Sequence, residues 1–277
     1  MHWQTSRFRL DLTRPKVMGI VNVTPDSFSD GGRLANTKAA MAHCERLLAE
    51  GADILDLGGE STRPGSKAVP ADEELARVLP VLRAALTLGC PVSVDTTKPE
   101  VMRTVLALGA DIVNDINALR APGALDAALQ HPACGVCLMH MRGTPESMQN
   151  QPRYDDVIDE VTAFLRERVA ALVAHGVDAS RIAVDPGIGF GKSVAHNLDL
   201  LRRQRELLVL GRPLLIGWSR KSTLGTLTGR AVGERLAASV AAALAAVAAG
   251  AHVVRVHDVA ATVDALKVWQ AANAPRE

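Results

Sequence analysis

The strongest constraint on how this chain folds is a regular alternation of short apolar runs with longer amphipathic ones. "VMGIVNV" is followed by "TKAAMAHCERLLAEG", "DILDLGG" by "DEELARVLPVLRAALTLG", "PVSVD" by "PEVMRTVLALG", and "DIVND" by "GALDAALQH". The order continues with "GVCLMH" and "YDDVIDEVTAFLRERVAALVAHG", "RIAVD" and "AHNLDLLRR", "RPLLIG" and "GERLAASVAAALAAVAAG", then "HVVRVHD" and "AATVDALKVWQAA". Near-continuous apolar runs suit strands buried on both faces of a parallel sheet, and the longer segments suit the helices that cover it. Eight such units in 277 residues predict a closed (β/α)8 barrel. An open doubly wound sheet is the other arrangement this order allows, although eight regular units would be unusual for it. No Pro/Gly/Ser-rich linker breaks the alternation, so residues 1–277 read as one domain. Thr97, Lys98, Pro99 and Glu100 have the spacing of a capping box before the third helix.

Charge gives no reason to expect nucleic acid or a membrane surface as partner, since 31 Lys+Arg stand against 30 Asp+Glu. An aromatic content of 3% also argues against a stacking platform for single-stranded nucleic acid. "MHWQTSRFRLDLTRPK" lacks the apolar run of a signal peptide, and "VAAALAAVAAGA" is too short and alanine-rich to span a bilayer. Four cysteines in so long a chain make a disulfide framework unexpected, which points to a reducing, cytoplasmic setting. Cys134 and Cys137 have the spacing of a redox pair. They lie in a strand-like run, however, where residues three apart face opposite sides, so buried structural thiols are expected.

"DPGIGFGKS", Asp185 to Ser193, looks like a nucleotide-binding loop but fails the spacing. A P-loop needs Gly at the position held by Pro186, and a dinucleotide fingerprint needs its third Gly where Lys192 stands.

Polar residues recur at the carboxyl ends of the predicted strands, where a barrel carries its active site. They are Asn22, Asp95, Asn114, Asp185, Lys221 after strand seven, and Arg255 with His257 on strand eight. Alternation puts Ser93 with Asp95, Ala183 with Asp185, and Val253 with Arg255 and His257 on single faces, leaving Val92, Val94, Ile182 and Val184 for the helices. Any one of these polar ends could be a solvated terminus or a helix cap; seven at corresponding ends imply a shared mouth. Lys221, Arg255, His257 and Arg63 compose an anion pocket suited to phosphate. Asp95, Asn114 and Asp185 offer partners for the NH-rich edge of a heterocycle. Two Gly/Pro/Ser-rich loops, Thr24 to Arg33 and Gly59 to Pro70, follow the first and second strands as candidate lids.

Taken together, "MGIVNVTPDSFSDGG", "DILDLGGESTRPG", "PVSVDTTKPEVM", "GADIVNDINAL", "CLMHMRGTPESMQ", "DPGIGFGKSVAHNLDLL", "IGWSRKSTLG" and "VVRVHDV" resemble the dihydropteroate synthase family, in family order from Met18 to Asp258. The resemblance implies a (β/α)8 barrel that joins p-aminobenzoate to a hydroxymethyl-dihydropterin diphosphate, giving 7,8-dihydropteroate and pyrophosphate with Mg2+. It implies pterin contacts at Asp95, Asn114, Met139, Asp185, Gly217 and Lys221. It implies diphosphate contacts at Asn22, Thr62, Arg63, Arg255 and His257, with Asn22 also a Mg2+ ligand. For p-aminobenzoate it implies Phe28, Pro64, Phe190, Lys221 and Ser222, with Phe190 delivered by the glycine-rich loop.

An aryl amine is neutral near pH 7, so the expected reaction needs no strong base, in keeping with the absence of a Ser-His-Asp or Cys-His signature. Charge developing on the departing diphosphate would meet Arg63, Arg255, His257 and the metal. The pterin cation would meet Asp95 and Asp185, with Asp30 in the first loop as a further stabiliser. A dissociative displacement, with that loop excluding water, is the expected course. A pterin-binding methyltransferase barrel serving a cobalamin protein, and a binding paralogue without turnover, are the alternatives. The apolar stripe Leu236, Val240, Leu244 and Val247 fits either packing on the barrel or a subunit interface; the resemblance favours a homodimer.

Overall fold

The structure, a computed structural model, describes residues 1–24, 32–63 and 65–273, with side chains for all of these except residues 32–36. An antiparallel hairpin, β1 (His2–Gln4) with β2 (Arg9–Asp11), precedes the barrel. The barrel strands are β3 (Lys16–Asn22), β4 (Ile54–Gly58), β5 (Val92–Asp95), β6 (Ile112–Asp115), β7 (Gly135–Met139), β8 (Ile182–Asp185), β9 (Leu215–Ile216) and β10 (Val253–Val256). All neighbours pair parallel in the order β8-β7-β6-β5-β4-β3-β10-β9. A parallel bridge between Val184 and Leu214 joins the two ends of this order and closes the ring. The helices are α1 (Gly32–Ala49), α2 (Ala71–Ala85), α3 (Pro99–Ala107), α4 (Ala124–Leu129), α5 (Val157–Ala174), α6 (Val194–Arg202), α7 (Ser222–Thr228), α8 (Leu236–Ala248) and α9 (Val259–Asn273). The (β/α)8 barrel expected from the alternation is the observed fold.

Two cores follow from the strand period of two. Outward residues, among them Val92, Val94, Ile182 and Val184, join the helices in a large apolar shell. Inward residues Met18, Ile54, Ile112, Cys137, Ala183, Leu215 and Val253 form a smaller core inside the barrel. Trp3 and Leu12 pack into this inner core. The amino-terminal hairpin therefore plugs the end opposite the polar mouth, an element the sequence pattern did not reveal. Trp3 Nε1 donates to Arg181 O at 2.9 Å. The buried Arg181 guanidinium donates to the carbonyls of Cys134 at 2.5 Å and His131 at 3.1 Å, so that end is sealed by paired polar groups. Cys134 lies in the outer shell and Cys137 in the inner core, both free thiols, as expected of structural cysteines.

The capping box expected at Thr97 is not formed. Lys98 is the N-cap of α3, in an extended conformation with no side-chain cap, and Pro99 opens the helix. Pro suits this first helical position, where its fixed φ is helical and its missing N–H would have had no intrahelical acceptor, while the Lys98 side chain has no oxygen to cap with. Lys98 instead donates to Glu60 Oε2 at 2.6 Å and Glu74 Oε2 at 2.5 Å. Glu60 Oε1 accepts from Val69 N at 2.8 Å, and Arg77 donates to Gly59 O at 2.8 Å. This ion cluster fixes the base of the loop that follows β4. Among the described residues, no helix is long and apolar enough to cross a membrane.

Candidate active site

Strand register sets the floor of the mouth. Asn22, Gly58, Asp95 and Asn114 lie side by side across β3, β4, β5 and β6. Gly58 carries no side chain, which opens the row between Asn22 and Asp95. Beneath it lies Asp56, fully buried on β4 and not singled out by the sequence reading. Its Oδ2 accepts from Arg255 Nε at 2.6 Å and from Asn114 Nδ2 at 3.3 Å. Arg255 also donates through Nη2 to Asp95 Oδ2 at 2.8 Å.

Arg255 thus belongs to the acidic floor as well as to the cationic set. Burial alone would disfavour its charge, but Asp56 and Asp95 outweigh that and hold the guanidinium above its ordinary value. Asp95 moves up as well, because burial and the neighbouring Asp56 outweigh the pull of Arg255. With Asp95 pushed up to about 7, two carboxyl groups around one guanidinium make the floor acidic and able to hold a proton near neutral pH. Among the described residues, Asp56 Oδ1, Asp95 Oδ1 and Ser93 Oγ are buried there without a hydrogen-bond partner. Orphaned buried acceptors are costly, and their clustering suits an NH-rich ligand.

Asp185 and Lys221 form the opposite wall. Burial raises the Asp185 carboxyl, while Lys221 and the Gly187 N–H, at 2.7 Å from Oδ1, oppose the rise. Burial brings Lys221 down to about 8 against the attraction of Asp185. Its ammonium donates to Ile188 O and lies 4.4 Å from the centre of the Phe190 ring. Arg255 acts on both Asp185 and Lys221, so the acidic and cationic groups meet in one opening.

His257 sits at the edge of that opening. Burial, aided by Arg255, Arg220 and Arg63, lowers its ring to about 3, so it is neutral near pH 7. The expected cation is therefore a neutral donor and acceptor. Its Nδ1 lies 3.0 Å from Ser219 Oγ, which also accepts from His257 N at 3.1 Å. Asn22 ends β3 half-buried. Thr62 and Arg63 lie on the loop after β4, whose Gly65 N–H donates to Pro145 O at 3.0 Å. Met139, the last residue of β7, packs with Ile116, Met141 and Met148 beside Phe190. A side chain at Gly217 would begin 3.8 Å from the Arg255 Cβ, so glycine keeps the space beside that arginine open. Ser222 is exposed at the start of α7. Phe28, Asp30 and Pro64 lie outside the described residues.

The pattern described as "Pterin binding enzyme" matches residues 18–257. A dihydropteroate synthase of Neisseria meningitidis serogroup B is 54% identical over 275 residues, covering 97% of this chain and 96% of its own. The chain belongs to the dihydropteroate synthase family of pterin-binding enzymes. It is also similar to a solved Xanthomonas albilineans dihydropteroate synthase with 4-aminobenzoic acid, at 55% identity and a TM-score of 0.91, over 97% of this chain and 96% of that one. A Burkholderia cenocepacia dihydropteroate synthase complexed with 7,8-dihydropteroate is 52% identical with a TM-score of 0.90, over 98% and 96%.

For a pterin-binding enzyme the glycine-rich loop after β8 needs explaining, since it is not a phosphate cradle. Gly187 and Gly191 have φ of +69° and +62°. A Cβ on Gly187 would fall 1.9 Å from His140 O, and one on Gly191 would fall 2.5 Å from Arg142 O. These glycines let the loop press onto the chain that follows β7. Lys192 is buried and turned inward onto the loop's own carbonyls. Ser193 caps α6, its Oγ accepting from His196 N at 3.2 Å.

Proposed function

We propose that this chain condenses p-aminobenzoate with (7,8-dihydropterin-6-yl)methyl diphosphate to give 7,8-dihydropteroate and pyrophosphate, by dissociative displacement. The observation that carries the reading is the floor itself: acceptors on Asp56, Asp95 and Ser93 orphaned among the described residues, two carboxyl groups around the Arg255 guanidinium, and Asp185 with Lys221 on the facing wall. Asp95, Asn114 and Asp185 would accept from and donate to the pterin edge, with Met139 against its face and Gly217 leaving room. Near the mouth, Asn22, Thr62, Arg63 and His257 would receive the diphosphate. Arg255 would contribute through Nη1, which has no partner among the described residues. With Ser219 Oγ accepting the His257 N–H and donating to Nδ1, the ring would carry its proton on Nε2 and offer it to a phosphate oxygen.

As the methylene C–O bond breaks, its electron pair leaves with the diphosphate. The positive charge left on the pterin methylene is favoured by the acidic floor. The neutral aryl nitrogen then forms the C–N bond and releases a proton to solvent. Phe190, Lys221 and Ser222 would hold the aryl amine, together with Phe28 and Pro64; Asp30 is proposed as a further stabiliser of the cation.

No group of three or more His, Cys, Asp or Glu suited to a metal occurs among the described residues. Asn22, half-buried beside the anion set with no hydrogen bond to its side chain among them, fits a Mg2+ held mainly by the diphosphate and water. When bound, Mg2+ would neutralise charge on the departing group. The decisive assay is pyrophosphate release. It should require both p-aminobenzoate and Mg2+, and release independent of the aryl amine would overturn the reading.

A homodimer is part of the proposal. α8 has no charged residue on any face; Ala237, Ala241 and Ala245 are exposed, and Leu236 is 47% exposed. Leu227 and Val232 are exposed just before it. A second copy on this surface would remove them from water. Leu236→Glu should shift the solution mass toward monomer, and a wild-type chain that is monomeric at working concentration would contradict the dimer. Four free buried cysteines support a cytoplasmic setting.

A further inference from the structure

Lys192 is only 2% exposed, yet among the described residues no carboxylate pairs with it. Its Nζ contacts Gly187 O at 3.0 Å, Phe190 O at 3.0 Å and His140 Nδ1 at 2.9 Å, with His140 O more distant at 3.4 Å. Burial pushes Lys192 well below its ordinary value, against the attraction of Asp185; in its ammonium form the three close acceptors match its three N–H donors. For His140 Nδ1 to accept, the imidazole must be neutral with its proton on Nε2. That ring is buried edge-on against Phe164, at 5.0 Å and 88°, so it is fixed in orientation.

The pinned residues are those that set the candidate site. Gly187 O also accepts from Phe190 N at 3.0 Å, so Lys192 clamps both ends of one tight turn. Inside that turn lies Ile188, whose carbonyl accepts from Lys221. At its end Phe190 presents its ring to the same ammonium. We infer that Lys192 is a positioning residue, acting with neutral His140 as its acceptor, that holds the Gly187–Phe190 turn in the geometry in which Phe190 and Lys221 receive the second substrate. The inference rests on the aryl-amine reading given above. Asp185 stands on β8 and is held by the strand as well as by the Gly187 N–H at 2.7 Å, so losing the pin should disturb aryl-amine handling more than pterin binding.

The test compares Lys192→Met, which keeps the stem without donors, with His140→Asn and His140→Leu. Asn and Leu branch alike at Cγ, but only Asn puts an acceptor oxygen where Nδ1 stands. Lys192→Met and His140→Leu should each raise the KM for p-aminobenzoate about 10-fold or more, the scale of one lost charged hydrogen bond. Pterin Kd by calorimetry should change by less than about 3-fold, and His140→Asn should stay near wild type. The double variant Lys192→Met/His140→Leu should be no worse than Lys192→Met alone, as expected of a unit. Unchanged KM in folded Lys192→Met would overturn the inference. So would equal losses in every constant, or His140→Asn behaving like His140→Leu; that last comparison still decides if Lys192→Met does not fold. The nitrogen resonances of His140 need no turnover. They should report an Nε2–H tautomer in wild type and change in Lys192→Met. A wild type without aryl-amine-dependent pyrophosphate release would sink the reaction assignment, while an unaltered His140 spectrum in Lys192→Met would sink the pin.

Discussion

Asp56→Asn is the most informative single change at the floor of the barrel. One oxygen, Oδ2, holds both Arg255 Nε at 2.6 Å and Asn114 Nδ2 at 3.3 Å. The substitution keeps the shape but removes the charge that faces the guanidinium. Arg255 retains Asp95 at 2.8 Å, so its charge is not stranded. The loss is therefore that of one charge-assisted hydrogen bond, about 1.5–3 kcal/mol. The new amide must also place either its NH2 or its oxygen at the Oδ1 position, which has no partner among the described residues. Burying an unsatisfied donor there adds about 1 kcal/mol or more. We expect a total destabilisation of about 2–4 kcal/mol, measured by urea unfolding at pH 7.

Pterin affinity should fall too, because Asn114, expected to face the ring, loses its anchor and Asp95, expected there as well, is left to hold Arg255 alone. If about 1–2 kcal/mol of the loss appears in binding, Kd rises roughly 5–30-fold. Calorimetry with a pterin that lacks the diphosphate isolates this effect from leaving-group contacts. Wild-type stability with wild-type affinity would refute the claim that Asp56 organises the floor. Lower stability with unchanged affinity would reduce Asp56 to a core ion-pair residue.

Asp185→Asn should weaken pterin binding by about 1–3 kcal/mol, the range for a buried group left mispaired; unchanged calorimetric affinity would remove Asp185 from the site. Acid should destabilise the fold through its buried histidines. Burial, with nearby cations, lowers His257 to about 3 and His140 to about 2 from an ordinary value of 6.5. Below pH 6.5 the unfolded chain therefore binds protons that these rings refuse, and stability falls at up to about 1.4 kcal/mol per pH unit for each ring. Asp95 and Asp185, raised in the fold, act with the opposite sign. The histidine part is read by difference: His140→Asn should lose less stability than wild type between pH 6.5 and 5, and parallel curves would contradict a buried neutral His140.

The barrel was legible because its cause is local. Strand period and helix period are written into short windows, and Val92, Val94, Ile182 and Val184 could be assigned outward from alternation alone. The polar strand ends were legible for the same reason. Asp56 was missed although alternation offered it: in "DILDLGG" it shares a face with Ile54 and Gly58, and it is the one charge on that face. Polarity at strand ends drew notice, whereas a charge inside a strand reads as an anomaly until a partner such as Arg255, 199 positions away, is in view. The state of His257 was hidden similarly, since its neutrality depends on Arg255, Arg220 and Arg63 gathering around it. The hairpin at the amino terminus gave too short a pattern to register. Lys98 could not be read as an ion-pair residue without Glu60 and Glu74 beside it.

"GFGKS" shows why residue types in a row do not settle their own chemistry. In a phosphate-binding loop the N–H groups and the lysine all point outward to one anion. Here the polarity is reversed around Lys192. The loop turns carbonyls inward, at Gly187 and Phe190, and the ammonium consumes them. Once those carbonyls are occupied, Lys192 has no donor left for a phosphate, and the positive φ of Gly187 and Gly191 serves contact with His140 and Arg142. The same composition that would grip an anion is thereby spent on rigidity. A loop built this way can hold Phe190 and the Lys221 partner Ile188 still while the mouth around them exchanges substrates. That division, a braced turn on one side and the acidic floor on the other, is what a displacement through a short-lived cation requires: the nucleophile must already be in place when the leaving group departs.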